Sequence, residues 1–158
     1  MSLSKQEESA LLQVYDAYWH SYATGDIPTL ATFLAEDYTQ IGSVETEVFN
    51  NKKDAVHFIE TTIDQVAGKV DMRNRVKKIE RVDPFMLITE HSDLYVLTEG
   101  EWVFYAKFRA SSFLQKKDGQ WKFIHQHSSM PDIRADEGEN IATEKISREN
   151  IELRDAIR

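Results

Sequence analysis

Three side chains carry most of the chemistry this sequence offers: His125, His127 and Arg109. The two histidines sit one residue apart in Trp121-Lys122-Phe123-Ile124-His125-Gln126-His127-Ser128-Ser129-Met130-Pro131. That stretch reads as a strand, entered through the Asp118-Gly119 turn and ended by Pro131. Strict alternation places Trp121, Phe123, His125, His127 and Ser129 on one face, with Lys122, Ile124, Gln126, Ser128 and Met130 on the other. One face then runs from large apolar groups to titratable ones, as suits a strand leaving a core and entering a pocket. Two imidazoles at this spacing can chelate a metal ion, but a catalytic zinc takes three protein ligands and no third stands at a linked spacing. No metal and no cofactor is therefore assigned, and the pair is expected to form the polar floor of a cavity. Joined with Asp37, His127 would instead act as an acid or base near neutral pH.

Arg109 lies on the preceding strand, between Phe108 and Ala110-Ser111-Ser112. A guanidinium among such small and apolar neighbours needs an anion. The candidates are a ligand carboxylate or phosphate held by its planar fork, or an internal partner such as Glu99, Glu101 or Asp37. Tyr15, Tyr18, Trp19, Tyr22, Tyr38, Trp102 and Tyr105 suit a core as readily as a site, because aromatics at helical spacing bury large area whatever the function. His20 and His57 fall off the apolar stripes of their helices, so both are expected to face solvent. His91 reads as part of a turn.

The elements that must position these groups follow from periodicity. Ser4-Lys5-Gln6-Glu7 is a capping box, and Leu11, Tyr15, Tyr18 and Tyr22 recur behind it at helical spacing. Gly25 stops that helix; Asp26 caps a short second one with Pro28 in its first turn. Tyr38–Ile41 reads as a strand and Glu47–Phe49 as another. Asn50 or Asn51 caps a third helix with the stripe Val56, Ile59, Ile63 and Val66. Then the period changes: 71–83, 94–98, 102–115 and 120–130 are expected as strands of one antiparallel meander, broken at Pro84, His91-Ser92-Asp93, Glu99-Gly100 and Asp118-Gly119. Helices followed by strands predict an α+β fold. The alternating Arg73, Arg75, Lys77 and Arg81 suggest a solvated face or a subunit contact.

Composition narrows the classes. A chain of 158 residues, 41% hydrophobic and 29% charged, is ordinary for a globular protein. It has no cysteine, which removes disulfides and thiol chemistry and fits a reducing, cytoplasmic setting. A net charge of −8 opposes broad nucleic-acid binding, and no apolar run is long enough to span a bilayer. The tail differs from the rest: Ile146, Asn150, Leu153 and Ile157 recur at heptad spacing, with a central Asn suited to a parallel pair. This divides the chain into a domain over 1–132 and a helical linker over 133–158. The seam runs to the last residue, so a downstream signalling domain is expected.

The series Tyr15, Ala23-Thr24-Gly25-Asp26, Phe33-Leu34-Ala35-Glu36-Asp37-Tyr38, Ile41-Gly42-Ser43, Arg109 and Asp118-Gly119-Gln120-Trp121 through His125-Gln126-His127-Ser128-Ser129 resembles the SnoaL-like branch of the nuclear transport factor 2-like superfamily. The resemblance implies a cone-shaped α+β barrel with a deep cavity between sheet and helices, dimerising through the sheet. It makes Tyr15, on the first helix, a pocket candidate. The tail resembles connectors of bacterial sensor proteins. Isomerases of the superfamily need a carboxylate on the first strand, and here Tyr38-Thr39-Gln40-Ile41-Gly42 has none. The expected cavity residues are Tyr15, Tyr38, Trp102, Arg109, His125 and His127. The expected function is a homodimeric, small-molecule-binding sensor, its ligand anionic where Arg109 reaches it. An isomerase, cyclase or dehydratase using His127 and Asp37, and a pure assembly domain, are the alternatives.

Overall fold

The computed structural model describes residues 2–135, 137–141 and 156. Helix α1 (Lys5–Thr24) begins with the capping box, Ser4 accepting from the Glu7 amide while the Glu7 carboxylate accepts from the Ser4 amide. It ends at Gly25, whose φ of 82° is left-handed; a Cβ there would also come within 2.8 Å of the Ala67 methyl. Helix α2 (Ile27–Thr32) is capped by the Asp26 carboxylate, and α3 (Lys52–Thr62) by Asn51, before a 3-10 turn at Ile63–Gln65.

Six strands make one curved, open sheet: β1 (Leu34–Ile41), β2 (Val48–Phe49), β3 (Val70–Val82), β4 (Phe85–Thr98), β5 (Glu101–Lys117) and β6 (Gln120–Ser129), in the order β2-β1-β6-β5-β4-β3. Only β1 and β6 run parallel. The α+β expectation holds, though the cone does not close into a barrel. Leu11, Tyr15, Tyr18 and Trp19 of α1 pack with Leu30, Ile88, Phe108, Leu114 and Phe123 in the core.

Strand β4 is longer than the sequence suggested. His91-Ser92-Asp93 is not a turn but mid-strand, with Glu90 and Ser92 inward at positions where apolar residues would have kept the alternation visible. The inward Glu90 is fully buried and accounts for Arg75 of β3, whereas Arg73 and Arg81 pair with Asp71 and Asp83 on their own strand or just past it. Arg75 grips it with both Nε and Nη2, and the Tyr15 hydroxyl donates to its Oε2 at 2.6 Å. Lys77 and Arg75 also pair with Asp16 of α1, at 2.6 and 3.2 Å. Desolvation works against the Arg75 charge, but the bond to Glu90 and the charges of Glu90 and Asp16 outweigh it and raise the Arg75 pKa. Arg75 and Lys77 therefore clamp the first helix to the sheet rather than forming a solvated face.

Three bulges interrupt the antiparallel pairs, and the parallel β1–β6 pairing is irregular between Leu34 and Thr39. β3 places Asn74 and Arg75 opposite Ser92, β5 carries Tyr105 as an extra residue, and β6 carries Ile124. Ser92, across from the first bulge, is buried with its hydroxyl unpartnered. The tail seam of Ile146, Asn150, Leu153 and Ile157 lies outside the described residues.

Candidate functional site

The concave side of the sheet and the helices leave a cavity of about 280 Å³ between them. Helix α1 contributes Tyr18, Trp19 and Tyr22; α3 and the turn after it contribute Phe58, Ile59 and Val66. Sheet residues Met72, Leu94, Phe108, Gln126 and Ser128, with Met130 just past β6, form the floor, and Tyr105 stands at the rim, 60% exposed. Trp19 meets Tyr22 at 89° and Phe108 at 85°, with ring centres 6.0 and 5.5 Å away. These edge-to-face contacts fix the walls at right angles.

Polar groups collect at one end. The Tyr18 hydroxyl donates to Gln126 Oε1 at 3.2 Å, and Gln126 Nε2 reaches Ser112 at 3.4 Å. Tyr38, buried behind the wall, donates to Gln40 Oε1 at 2.9 Å, and Gln40 Nε2 stands 3.5 Å from Glu47 Oε2. Glu47 comes from the loop joining β1 and β2. That loop is drawn tight by the Gly42 amide donating to the Glu47 carbonyl at 2.7 Å, so the Glu47 side chain folds back over Gly42. Burial holds the Glu47 carboxyl above the usual carboxylate range, against the lowering effect of Gln40 and the Val44 backbone. Burial, and then the Glu47 charge, pushes the Tyr22 phenol up to about 12. The indole N–H of Trp19 is buried beside the Tyr15 hydroxyl, and its pull on that oxygen works against the burial that raises the Tyr15 pKa.

A helical wall, a bent sheet and a cavity at their junction match what comparison with known proteins shows. The SnoaL-like domain profile matches residues 11–133. The chain belongs to the SnoaL-like family. No functionally curated protein matches it by sequence. Among solved structures it is similar to an NTF2-like protein with a cystatin-like fold from Novosphingobium aromaticivorans, at TM-score 0.69 and 12% identity, covering 90% of each chain. It is also similar to a putative dehydratase of the NTF2-like family from Streptomyces avermitilis, at 0.68 and 10%, covering 82% of this chain and 99% of that one. A third is a putative calcium/calmodulin dependent protein kinase II association domain from Xanthomonas campestris, at 0.61 and 19%, covering 84% and 91%. At these identities the likeness shows the fold alone.

Within the SnoaL-like domain, the histidines are not where alternation put them. The extra residue Ile124 shifts the phase of β6, so Phe123, Gln126 and Ser128 face inward while His125, His127 and Ser129 face out with Phe113, Ser111 and Arg109. His125 accepts or donates at Nδ1 with the Thr39 hydroxyl at 2.7 Å; burial, then the neighbouring His127, lowers its pKa. His127 is exposed. Arg109 donates to Ser129 at 3.2 Å, beside His91 and His127 in a shallow outer groove. None of the three reaches the cavity. Asp37 is exposed and pairs with Lys117 at 3.2 Å rather than with His127, so the expected acid–base pair is not assembled. Tyr15 is committed to Glu90, Tyr38 supports Gln40 from behind, and Trp102 lies 41% exposed near the β4–β5 turn, 5.8 Å from the Arg73 guanidinium. The cavity instead uses Tyr18, Trp19, Tyr22, Gln40, Glu47 and Gln126. Glu47 was hidden in a loop; the glycine five residues before it was the only trace of its close approach.

Proposed function

We propose that this SnoaL-like domain is a small-molecule-binding module that works as a homodimer. The cavity carries the reading, with apolar walls and a few convergent amide, phenol and carboxylate groups at one end. Such a division is how proteins hold an organic ligand in one orientation. The anionic ligand expected from Arg109 is not supported, because Arg109 lies on the outer face and, among the described residues, the lining offers a carboxylate and no Lys, Arg or His. Methyl-labelled methionine supplies the test. Met72 and Met130 line the cavity, and Met86 is buried elsewhere. Titration with toluene or p-cresol is expected to shift the Met72 and Met130 methyl resonances and leave Met86 in place. No shift with either probe favours the assembly-domain alternative.

Support for the homodimer comes from Leu97, Trp102, Val103 and Phe104, large apolar side chains exposed toward the end of the β4–β5 hairpin. A sensory output through paired C-terminal helices is supported by the heptad spacing alone. Shortening the chain to residue 141 is expected to weaken dimerisation, and unchanged dimer affinity would sink that part. Acid–base catalysis is a second reading, favoured by the half-buried Glu47 with Tyr22 within its electrostatic reach. Its test is loss of turnover in Glu47→Gln once a substrate is in hand.

A further inference from the structure

Glu47 is a partly buried carboxylate that forms no ion pair among the described residues, in a cavity whose lining contains no cation. Its one side-chain partner is a long contact to an amide. The same cavity is lined by the rings of Tyr18, Trp19, Tyr22, Phe58 and Phe108, with Tyr105 at the rim, and Glu47 is close enough to Tyr18 and Tyr22 for its charge to raise their pKa values. Elsewhere the protein's own cations occupy such faces: the Arg73 guanidinium lies 4.1 Å from the Tyr95 ring centre. Among the described residues, no cation sits over the cavity rings.

Resting on the ligand-binding reading above, we propose that the cavity takes an organic cation. Its protonated or quaternary ammonium would stand against Glu47 and the rings of Trp19 and Tyr22, with its apolar part over Val66, Met72 and Leu94. Ring faces carry negative quadrupole charge, so a desolvated cation is drawn to them. A carboxylate in a low-dielectric site strengthens that attraction. A neutral ligand would take water from the Glu47 charge and leave it only the Gln40 amide and the Val44 backbone, with no counter-charge, and an anion would add repulsion to that cost. A cation relieves it. The perpendicular walls at Trp19 suit a compact, tetrahedral head group better than a flat one.

Three probes of similar shape separate the possibilities: phenyltrimethylammonium, its neutral isostere tert-butylbenzene, and benzenesulfonate. Binding is read from the Met72 and Met130 methyl shifts in the full chain. Phenyltrimethylammonium is expected to bind and benzenesulfonate to fail. The affinity ratio of the cation to tert-butylbenzene is expected to fall about tenfold in Glu47→Gln, the scale of one lost charge interaction. Tert-butylbenzene binding should survive in that variant, showing that it folds. A ratio unchanged by Glu47→Gln, or benzenesulfonate binding as well as the cation, overturns the cation assignment and leaves the cavity a ligand site. If none of the three moves either methyl, the ligand-binding reading falls with it.

Discussion

Replacing Gly42 with alanine tests how the site's carboxylate is held. A Cβ at Gly42 would lie 1.7 Å from Glu47 Oε2, 2.4 Å from its Cδ and 2.6 Å from its Cβ. The carboxyl end can swing away by rotation, but the Glu47 Cβ moves only with the backbone. It must recede from 2.6 Å to the ordinary contact of 3.4 Å, against the 2.7 Å Gly42–Glu47 hydrogen bond that closes the loop. Overpacking of this kind costs about 1–3 kcal/mol. Gly42 is not in the left-handed region, so alanine also removes unfolded-state entropy and returns roughly 0.4–1 kcal/mol. The net loss is about 1–2 kcal/mol, or on the order of 5 °C in Tm for a chain of this size. Thermal and urea unfolding of Gly42→Ala should show it, and the variant should also lose cation-probe affinity as the carboxylate leaves its place. The loss should shrink in a Glu47→Ala background, which removes the carboxyl but keeps the 2.6 Å Cβ contact, and vanish in Glu47→Gly. Equal losses in all three backgrounds would refute the idea that Glu47 folds over Gly42.

Other outcomes rest on the same contacts. Glu90→Ala leaves the half-buried Arg75 with Asp16 alone and the Tyr15 hydroxyl without its acceptor, and should lower stability by about 2–3 kcal/mol in denaturant titrations; a loss under about 1 kcal/mol would show the cluster is not held as described. Because burial raises the Glu47 pKa on folding, its contribution is intact below the unfolded value of 4.5 and is lost as pH rises through the higher folded value. Glu47→Gln should therefore melt above the wild type at about pH 7 and converge with it below about pH 4.5. The Tyr22 pKa of about 12, against 10.0 unfolded, makes the same argument at the alkaline end: Tyr22→Phe should blunt the stability lost between those values. Sedimentation at micromolar concentration should find a dimer that Val103→Lys weakens, and a monomeric wild type would end that reading. His125→Ala and His127→Ala should leave the Met72 and Met130 probe shifts unchanged, since both rings face outward.

Most of the fold was legible because its signals are local. Ser4 and Glu7, Gly25 and Asp26, and Asn51 each fix a helix end through bonds to residues three or four positions away. The site was not, because its phase is set by pairing between strands. Alternation along β6 gives the right faces only if no residue is inserted, and Ile124 is recognised as extra only when β5 is laid beside it. The run through Glu90 and Ser92 misled for a related reason. Glu90 is tolerable inside only because Arg75 and Tyr15 are waiting for it, from β3 and from a helix 75 residues earlier. Polar residues at inward positions look like a break until their partners are known.

The bulge at Ile124 has a use beyond orienting two histidines. Below it, β6 pairs with β5 in one frame and above it in another, yet Phe123 and Gln126 both stay inward. The strand is thus two short reading frames spliced by a single spare residue, with Phe123 in the core on one side of it and Gln126 and Ser128 at the cavity on the other. Deleting Ile124 would merge the frames and keep the β5 partners of Phe123 and His125, while the irregular pairing with β1 between Leu34 and Thr39 would have to adjust. Cavity width and cavity chemistry are then separately adjustable: one by the length of the chain at this position, the other by the identity of the inward side chains from Gln126 to Met130.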